Sequence, residues 1–486
     1  MIISLFIIAI SVLAVPHSCY DEEALFARLD PGEQETLRCL HLLMNPFQQK
    51  QYLALPTREA RAAWVERFWT ELDPTPTTAR NERRIEHEQR VAFARERFPS
   101  SEGPGWDRRG EIYILYGEPD TRTVIDAELI HPSVYPPKEK WHYRALNTYV
   151  TFEDLTHNGE YTYEILSYST GRLESVRGGD PDYNPSVFAG RPAVNIPSLD
   201  ATEREFSNPR KQPYCHTCDL VMNRFPLYFD VSSFRGGPGT VMTEVSFEIP
   251  ANDILFVPDD EGSCAEVDFR VMVRDFSFDS VTAGATRISV TIPGMESMEK
   301  FDRLDGQLRL SLEPGYYRLG IEAIDRNARR SCAYKTNVTI RGMDSRPALS
   351  DIQFARLIRE ARGDERFTKG NLQIVPHPLH AYRKPDPVRI YFEIYGLETD
   401  RNDMAFYSIE YRVEPLEKRR WGPVLVDDRL VKSSKFDLSG YGSRQTQRLE
   451  IDTSDLWPGR YELQVVVRDR ISRTNVSQSA RLSVVE

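Results

Sequence analysis

The strongest constraint on the fold is a repeat that lies inside a long stretch of period-two alternation. TEVSFEIP, CAEVDFRVMV, TRISVTI, QLRLSL and YYRLGIEAID each place apolar side chains at every second position between turn residues, the pattern of half-buried strands. NLQIVP, VRIYFEIYGL, FYSIEYRVEP, TQRLEIDT, RYELQVVVRD and ARLSVVE repeat the texture further on. Pro314-Gly315 precedes YYRLGIEAIDR and Pro458-Gly459 precedes RYELQVVVRDR, so Tyr317/Tyr461, Leu319/Leu463 and Asp325/Asp469 are each 144 residues apart. Pro-Gly supplies a turn, the tyrosine hydroxyl can anchor a corner, and the alternation fills a two-sheet core. These features predict two copies of one β fold, immunoglobulin-like sandwiches over 229–342 and 370–486. A connection over 343–369 would join them, its SDIQFARLIREA stretch ambiguous between helix and strand.

The first part of the chain has a different texture. Residues 21–99 carry apolar positions at helical spacing, with Ala60, Trp64, Val65 and Phe68 on one face. Thr75 is expected to cap a helix with Pro76 at its first position. After the SSEGPGW loop, EIYILY (111–116) reads as a strand ended by the turn Gly117 to Asp120, with further strands over 141–144, 147–154 and 161–168. Residues 21–178 are thus expected to form a helical region with a small α+β unit, and the Pro-rich stretch 179–228 a connection. The fold class is multidomain α+β.

The ordered set FWTELDPTPTTARNE, then GWDRRGEIYILYGEPD, then Trp141 to Tyr143 and Phe152-Glu153-Asp154 resembles the bacterial GWxTD-domain family, a largely uncharacterised group. ALSDIQFA, YFEIYGL and the two Pro-Gly-x-Tyr-x-Leu repeats resemble that family's C-terminal half. The chain departs from the family pattern in one place: only Asp107 and Arg108 lie between Gly105-Trp106 and Arg109-Gly110, so the motif threonine is absent and the loop is one residue shorter. The resemblance implies an exported cell-envelope protein and implies no particular reaction.

Ile2 to Val15 is an uncharged, largely apolar run followed by Pro16 and Cys19. It suits the core of a secretory signal better than a membrane span. Residues 1–19 are read as a signal peptide, with cleavage after Ala14 or lipidation of Cys19 as the alternatives; the second would tie the chain to a membrane. The destination would be periplasmic, outer-membrane associated or extracellular. Lys+Arg is 62 against 73 Asp+Glu, a net charge of −11, which argues against a nucleic-acid partner.

Export permits disulfides. Cys215 and Cys218 could close a small ring, which their Pro-rich surroundings favour over half a zinc site or a redox pair. Cys264 and Cys332 flank strands of one β domain and could form a staple, while Cys39 sits in an apolar helical context. His377 and His380, between Pro376 and Pro378 and just beyond, are expected on a surface loop. No GxSxG, HExxH, Walker loop or strand-borne GxGxxG occurs. No catalytic residue, metal or cofactor is therefore expected.

A binding site, if one is built by the family motif, would gather Trp106, Asp107, Arg108, Arg109 and Glu118 on the loop between helix and strand. The function expected is that of a binding or scaffold protein with an envelope protein or glycan as partner. The alternative is a hydrolase of envelope polymers using a carboxylate site among Glu71, Asp73, Glu82, Glu86 and Glu88, interleaved with arginines that could instead pair with them.

Overall fold

A computed structural model describes residues 22–100, 104–125, 128–130, 133–144, 148–154, 161–169, 172–178, 225–260, 262–293, 301–363, 365–416, 420–421, 424–425 and 432–486. The expected signal segment, Cys19, Cys215, Cys218 and most of the expected 179–228 connection lie outside these residues. The described chain is mainly β, with several sheets and a group of N-terminal helices. It divides into two units: residues 1–72 with 83–219, and residues 73–82 with 220–486.

In the first unit, local chemistry fixes where helices begin. Asp30 caps the helix Pro31–Leu40: its side chain accepts from Glu33 N while Glu33 answers to Asp30 N, a reciprocal capping box with Pro31 opening the helix. Asn45, Pro46 and Gln48 repeat that arrangement at Pro46–Ala54. These helices and Arg58–Leu72 bury Leu37, Leu43, Tyr52, Phe68 and Trp69 in one cluster. A five-stranded antiparallel sheet follows, in the order Thr121–Ile125, Lys138–Tyr143, Thr148–Glu153, Thr162–Ser169, Arg172–Gly178. Alternation in its central strands drives Trp141, Tyr143, Val150 and Phe152 against Phe98, Ile112 and Tyr116.

Two readings of this region are corrected. EIYILY is not a strand: Arg108–Tyr116 is an α-helix. The helix expected from Pro76 begins instead at Glu82 and runs to Arg97. Asp73 accepts from Thr75 N at 2.9 Å and Thr78 N bonds Thr75 O at 3.0 Å, so Thr75-Pro76 belongs to a turn.

The second unit holds two pairs of sheets. In the first pair, Val241–Pro250 lies between Tyr228–Arg235 and Arg303–Leu312, facing a sheet in the order Ser280–Ile292, Gly262–Arg274, Gly315–Asp325, Arg330–Ile340. Phe247 stacks on Phe269 across the shared core at 4.0 Å. In the second pair, Val388–Tyr395 pairs with Gln353–Glu360 on one side and Gln445–Ile451 on the other. That sheet faces one built on Met404–Pro415, Gly459–Asp469 and Asn475–Val485. The expected connection 343–369 is thus corrected: SDIQFARLIREA supplies Gln353–Glu360, a strand inside the second pair.

The repeat holds in detail. Gly315–Asp325 and Gly459–Asp469 are matching strands. Tyr317 OH donates to Glu313 O at 3.0 Å, and Tyr461 OH to Trp457 O at 2.7 Å. Asp325 accepts from Ala328 N and Leu255 N, Asp469 from Ile471 N and Glu398 N, so each buried carboxylate is held by one backbone donor in the turn after its strand and one from a distant loop.

Candidate functional site

The structure gives most residues of the expected motif site local packing and hydrogen-bonding partners. Trp106 is buried with Val91, Ala94 and Ile114, and it packs so closely on the next turn that a Cβ on Gly110 would lie 2.6 Å from Trp106 Cβ. Asp107 is the cap of the helix Arg108–Tyr116, accepting from Arg109 N at 2.8 Å and Gly110 N at 3.3 Å. Arg109 closes onto Asp107 Oδ2 at 2.7 Å and reaches Glu139 Oε2 at 3.2 Å, with its guanidinium 3.8 Å from the Tyr161 ring centroid. Arg108 pairs with Glu111 at 2.7 Å. Glu118 is exposed at the far end of the helix. The structure therefore joins Asp107 and Arg109 to Glu139, and leaves Arg108 and Glu118 out of that group.

Glu139 was not visible as a participant in the sequence. It is buried and accepts from Trp141 Nε1 at 2.6 Å, from Arg109 and from Arg122. Burial works to raise its carboxyl, but the hydrogen bonds from Arg122 and Trp141 outweigh that and hold it below the ordinary glutamate value. The turn after the helix is equally structural. Gly117 has φ +77°, and Arg90, whose guanidinium would meet a Cβ there at 2.7 Å, donates to the carbonyls of Ile114 and Leu115 in the helix's last turn.

Two of the carboxylates weighed for hydrolysis are held in ion pairs. Glu86 pairs with Arg90 at 2.6 Å and Glu88 with Arg84 at 3.0 Å. Asp73 and Glu82 belong to the second unit. There Thr75 Oγ1 donates to Glu82 and Thr77 Oγ1 to Glu322 on the strand Gly315–Asp325. Burial pushes the Asp73 carboxyl up to about 6, opposed by the hydrogen bond from Thr75 N and by Lys335, and aided by Glu82. Burial raises Glu322 as well, against the hydrogen bond from Thr77.

The cysteine staple is also corrected. Cys264 and Cys332 are free thiols. Cys332 pairs in register with Ala323 and points into the core, whereas Cys264 lies beside inward-facing Ala265 and so projects from the other face of the same sheet. His377 is not on a surface loop: it is buried, with Nε2 2.7 Å from Ala381 O and Nδ1 3.3 Å from Glu248.

What the structure offers for recognition lies in the second unit. Successive residues Ala283 to Ser289 line one wall of an open groove of about 800 Å³, and Gln307 to Leu310 line another. Side chains alternate faces along a strand, so lining by consecutive residues means the strand edges border the groove. Among the described residues, Ser280–Ile292 pairs only with Gly262–Arg274, and Arg303–Leu312 only with Val241–Pro250. Arg287, Arg309, Arg366 and Glu365 also line the groove; Arg287 is paired with Asp268 at 2.7 Å and Arg309 with Glu244 at 3.1 Å.

A second cavity, of about 460 Å³, lies where the two sheet pairs meet, lined by Phe234, Glu244, Lys369, Tyr391, Glu393 and Arg444 among others. Sequence reasoning missed it because Glu244, Ser246 and Glu248 alternate with Val245, Phe247 and Ile249, and a polar face of that kind reads as solvated. In fact both faces of Val241–Pro250 are buried. The second sheet pair covers the polar face, with Lys369 on Glu244 at 2.7 Å and Arg356 on Glu248 at 2.6 Å.

No protein-family model matches the chain, and no curated protein matches it. Among solved structures, it is similar to a DUF3823 family protein from Bacteroides ovatus at 12% identity, over 47% of this chain and 96% of that one, with a TM-score of 0.16. It is also similar to trypsin-activated alpha-2-macroglobulin from Escherichia coli at 11% identity, over 76% of this chain and 22% of that one, again with a TM-score of 0.16. Likenesses at that score carry no argument about function.

Proposed function

We propose that this chain is an exported cell-envelope protein of the GWxTD type that binds or scaffolds a partner, with two immunoglobulin-like domains as its recognition half. The observation that carries the reading is the groove bordered by the edges of Ser280–Ile292 and Arg303–Leu312. An unpaired strand edge offers a row of N–H and C=O groups to an extended segment of another protein, which gains affinity by adding a strand. The immunoglobulin-like assignment rests on the paired tyrosine corners and on the sheets facing each other across one core. The GWxTD assignment rests on the motif order, and in that motif Trp106, Asp107, Gly110 and Gly117 all serve one helix and its turns.

The test is fractionation of the native host with a photo-crosslinking residue in place of Ala285. A reproducible adduct with one envelope protein supports the reading and identifies the partner. An adduct with glycan alone, or a soluble chain without adducts, overturns the strand-addition reading.

A second reading is favoured by one observation. Asp73, with its carboxyl near pH 6 beside Glu82, is poised as a general acid would be. We keep hydrolysis of an envelope polymer as the alternative, now centred on Asp73, Glu82 and Glu322. Loss of a polymer-cleaving activity in Asp73→Asn with the fold retained would favour it over binding.

A further inference from the structure

Two buried side chains and a lysine with a side chain 10% exposed meet at the edge of the cavity between the sheet pairs. Lys369 Nζ lies 2.8 Å from Gln353 Oε1 and 2.7 Å from Glu244 Oε2. Gln353 Nε2 donates to that same Glu244 oxygen at 3.1 Å. The amide orientation is forced, since an ammonium only donates and a carboxylate only accepts. Gln353 and Glu244 are each 1% exposed. The lysine nitrogen sits 3.3 Å from the Phe234 ring centroid and 5.1 Å from that of Tyr391.

This is an amine, a carboxamide and a proton carrier held within contact distance in a largely water-excluded box. We propose that Lys369 and Gln353 condense into an intramolecular amide cross-link, with Glu244 carrying the proton between them. The lone pair of neutral Nζ adds to Cδ of Gln353, and the carbonyl π pair moves to Oε1. Glu244 Oε2 takes a proton from Nζ and delivers it to Nε2. The Cδ–Nε2 bond then breaks as the carbonyl re-forms, ammonia leaves and the carboxylate is regenerated. No oxidant, reductant or further reactant is needed.

Three features favour the step. The hydrogen bond from Lys369 Nζ to Gln353 Oε1 holds amine and carboxamide side by side, which makes a slow bimolecular aminolysis unimolecular. Burial, helped by Arg309, lowers the Lys369 amine to about 8 against the pull of Glu244 and Glu393, so a neutral fraction exists near physiological pH. The adjoining cavity, lined by both Lys369 and Glu244, gives ammonia a way out. The product would tie the short strand Thr368–Lys369 to the start of Gln353–Glu360, closing a loop that now depends on pairing through Leu372–Pro376. This inference is independent of the proposed binding groove.

The experiment is tryptic peptide mapping of the full-length chain by mass spectrometry, after incubation of the folded protein at pH 6 and pH 9. The expected result is a branched peptide joining Gln353 and Lys369. Its mass would be one ammonia below the sum of its arms, trypsin would not cleave after Lys369, and it would accumulate faster at pH 9. Recovery of Gln353 and Lys369 in separate unmodified peptides at both pH values would overturn the proposal, whatever the variants do. E244Q is expected to abolish the branch with the circular dichroism of the parent retained. Persistence of the branch in E244Q would overturn the role given to Glu244, and K369R supplies the unbranched reference.

Discussion

Tyr317 and Tyr461 are 144 residues apart, and each donates its hydroxyl to the carbonyl four residues before it, Glu313 and Trp457 respectively. Both hydroxyls anchor the turn that starts a central strand, and both rings are buried. The repeat therefore conserves an interaction as well as a pattern. Phenylalanine at either position keeps the ring and removes the bond. Y317F and Y461F should each lose about 0.5–1.5 kcal/mol, the net worth of one hydrogen bond, measured by urea unfolding. A loss at one tyrosine only would mean that the two corners are not equivalent.

The segment Trp106 to Gly110 should behave as a stability element. In G110A the new methyl would meet Trp106 Cβ at 2.6 Å, with Trp106 only 2% exposed and unable to swing away. Overpacking of this kind costs about 1–3 kcal/mol. D107A removes the cap at a cost of about 0.5–2 kcal/mol and leaves Arg109 with Glu139 alone. Thermal melting of both variants should show lowered midpoints. A binding assay with the captured partner should show unchanged affinity once the variants are folded. A large affinity loss in folded D107A would restore the motif loop as a recognition site.

Cysteine chemistry should sort by depth. Burial pushes the Cys332 thiol up to about 12, and only the thiolate reacts readily. Iodoacetamide at pH 8 should therefore leave Cys332 unlabelled until denaturant is added, while the half-buried Cys264 labels in the native state. Non-reducing peptide mapping should show no Cys264–Cys332 bridge, because the two side chains leave opposite faces of one sheet.

Much of the fold could be read from the chain, and the failures share one cause. The β strands were legible because alternation is local and repeated, and the 144-residue offset because Pro-Gly, Tyr and Asp recur in step. EIYILY has the look of a strand because Ile112, Ile114 and Tyr116 alternate; the start signal, Asp107 as cap, lies four residues upstream, next to the Gly- and Pro-bearing SSEGPGW stretch that has the texture of a loop. The polar face of Val241–Pro250 looked solvated because nothing local reveals that a second sheet pair covers it. The same holds for Lys369, Gln353 and Glu244, which come from three separate strands. The turn Asp73–Glu82 is the sharpest instance. It lies between two helices of the first unit, yet it belongs to the second, where Pro76 packs where a Cβ on Gly320 would stand.

That turn also sets a pH dependence. The Asp73 carboxyl titrates near 6 in the folded chain against an ordinary value of 3.8, mainly because it is buried. Lys335 and Arg274 pull it down and Glu82 pushes it up, so burial decides the sign. A group whose folded value is raised favours the folded state fully when both states are protonated, below about pH 4. That contribution is lost as pH rises through about 6, and the difference of roughly two units corresponds to about 3 kcal/mol at most. Glu322, raised by burial in the same cluster, acts in the same direction. D73N keeps an oxygen for Thr75 N and carries no charge. Relative to the parent, D73N should therefore gain about 1–3 kcal/mol between pH 4 and pH 7.5, read as the difference in urea midpoints at the two pH values. A gain that is absent, or that runs the other way, would mean that Asp73 is ionised at a normal pKa in the folded chain, and the hydrolytic alternative would lose the raised carboxyl on which it depends.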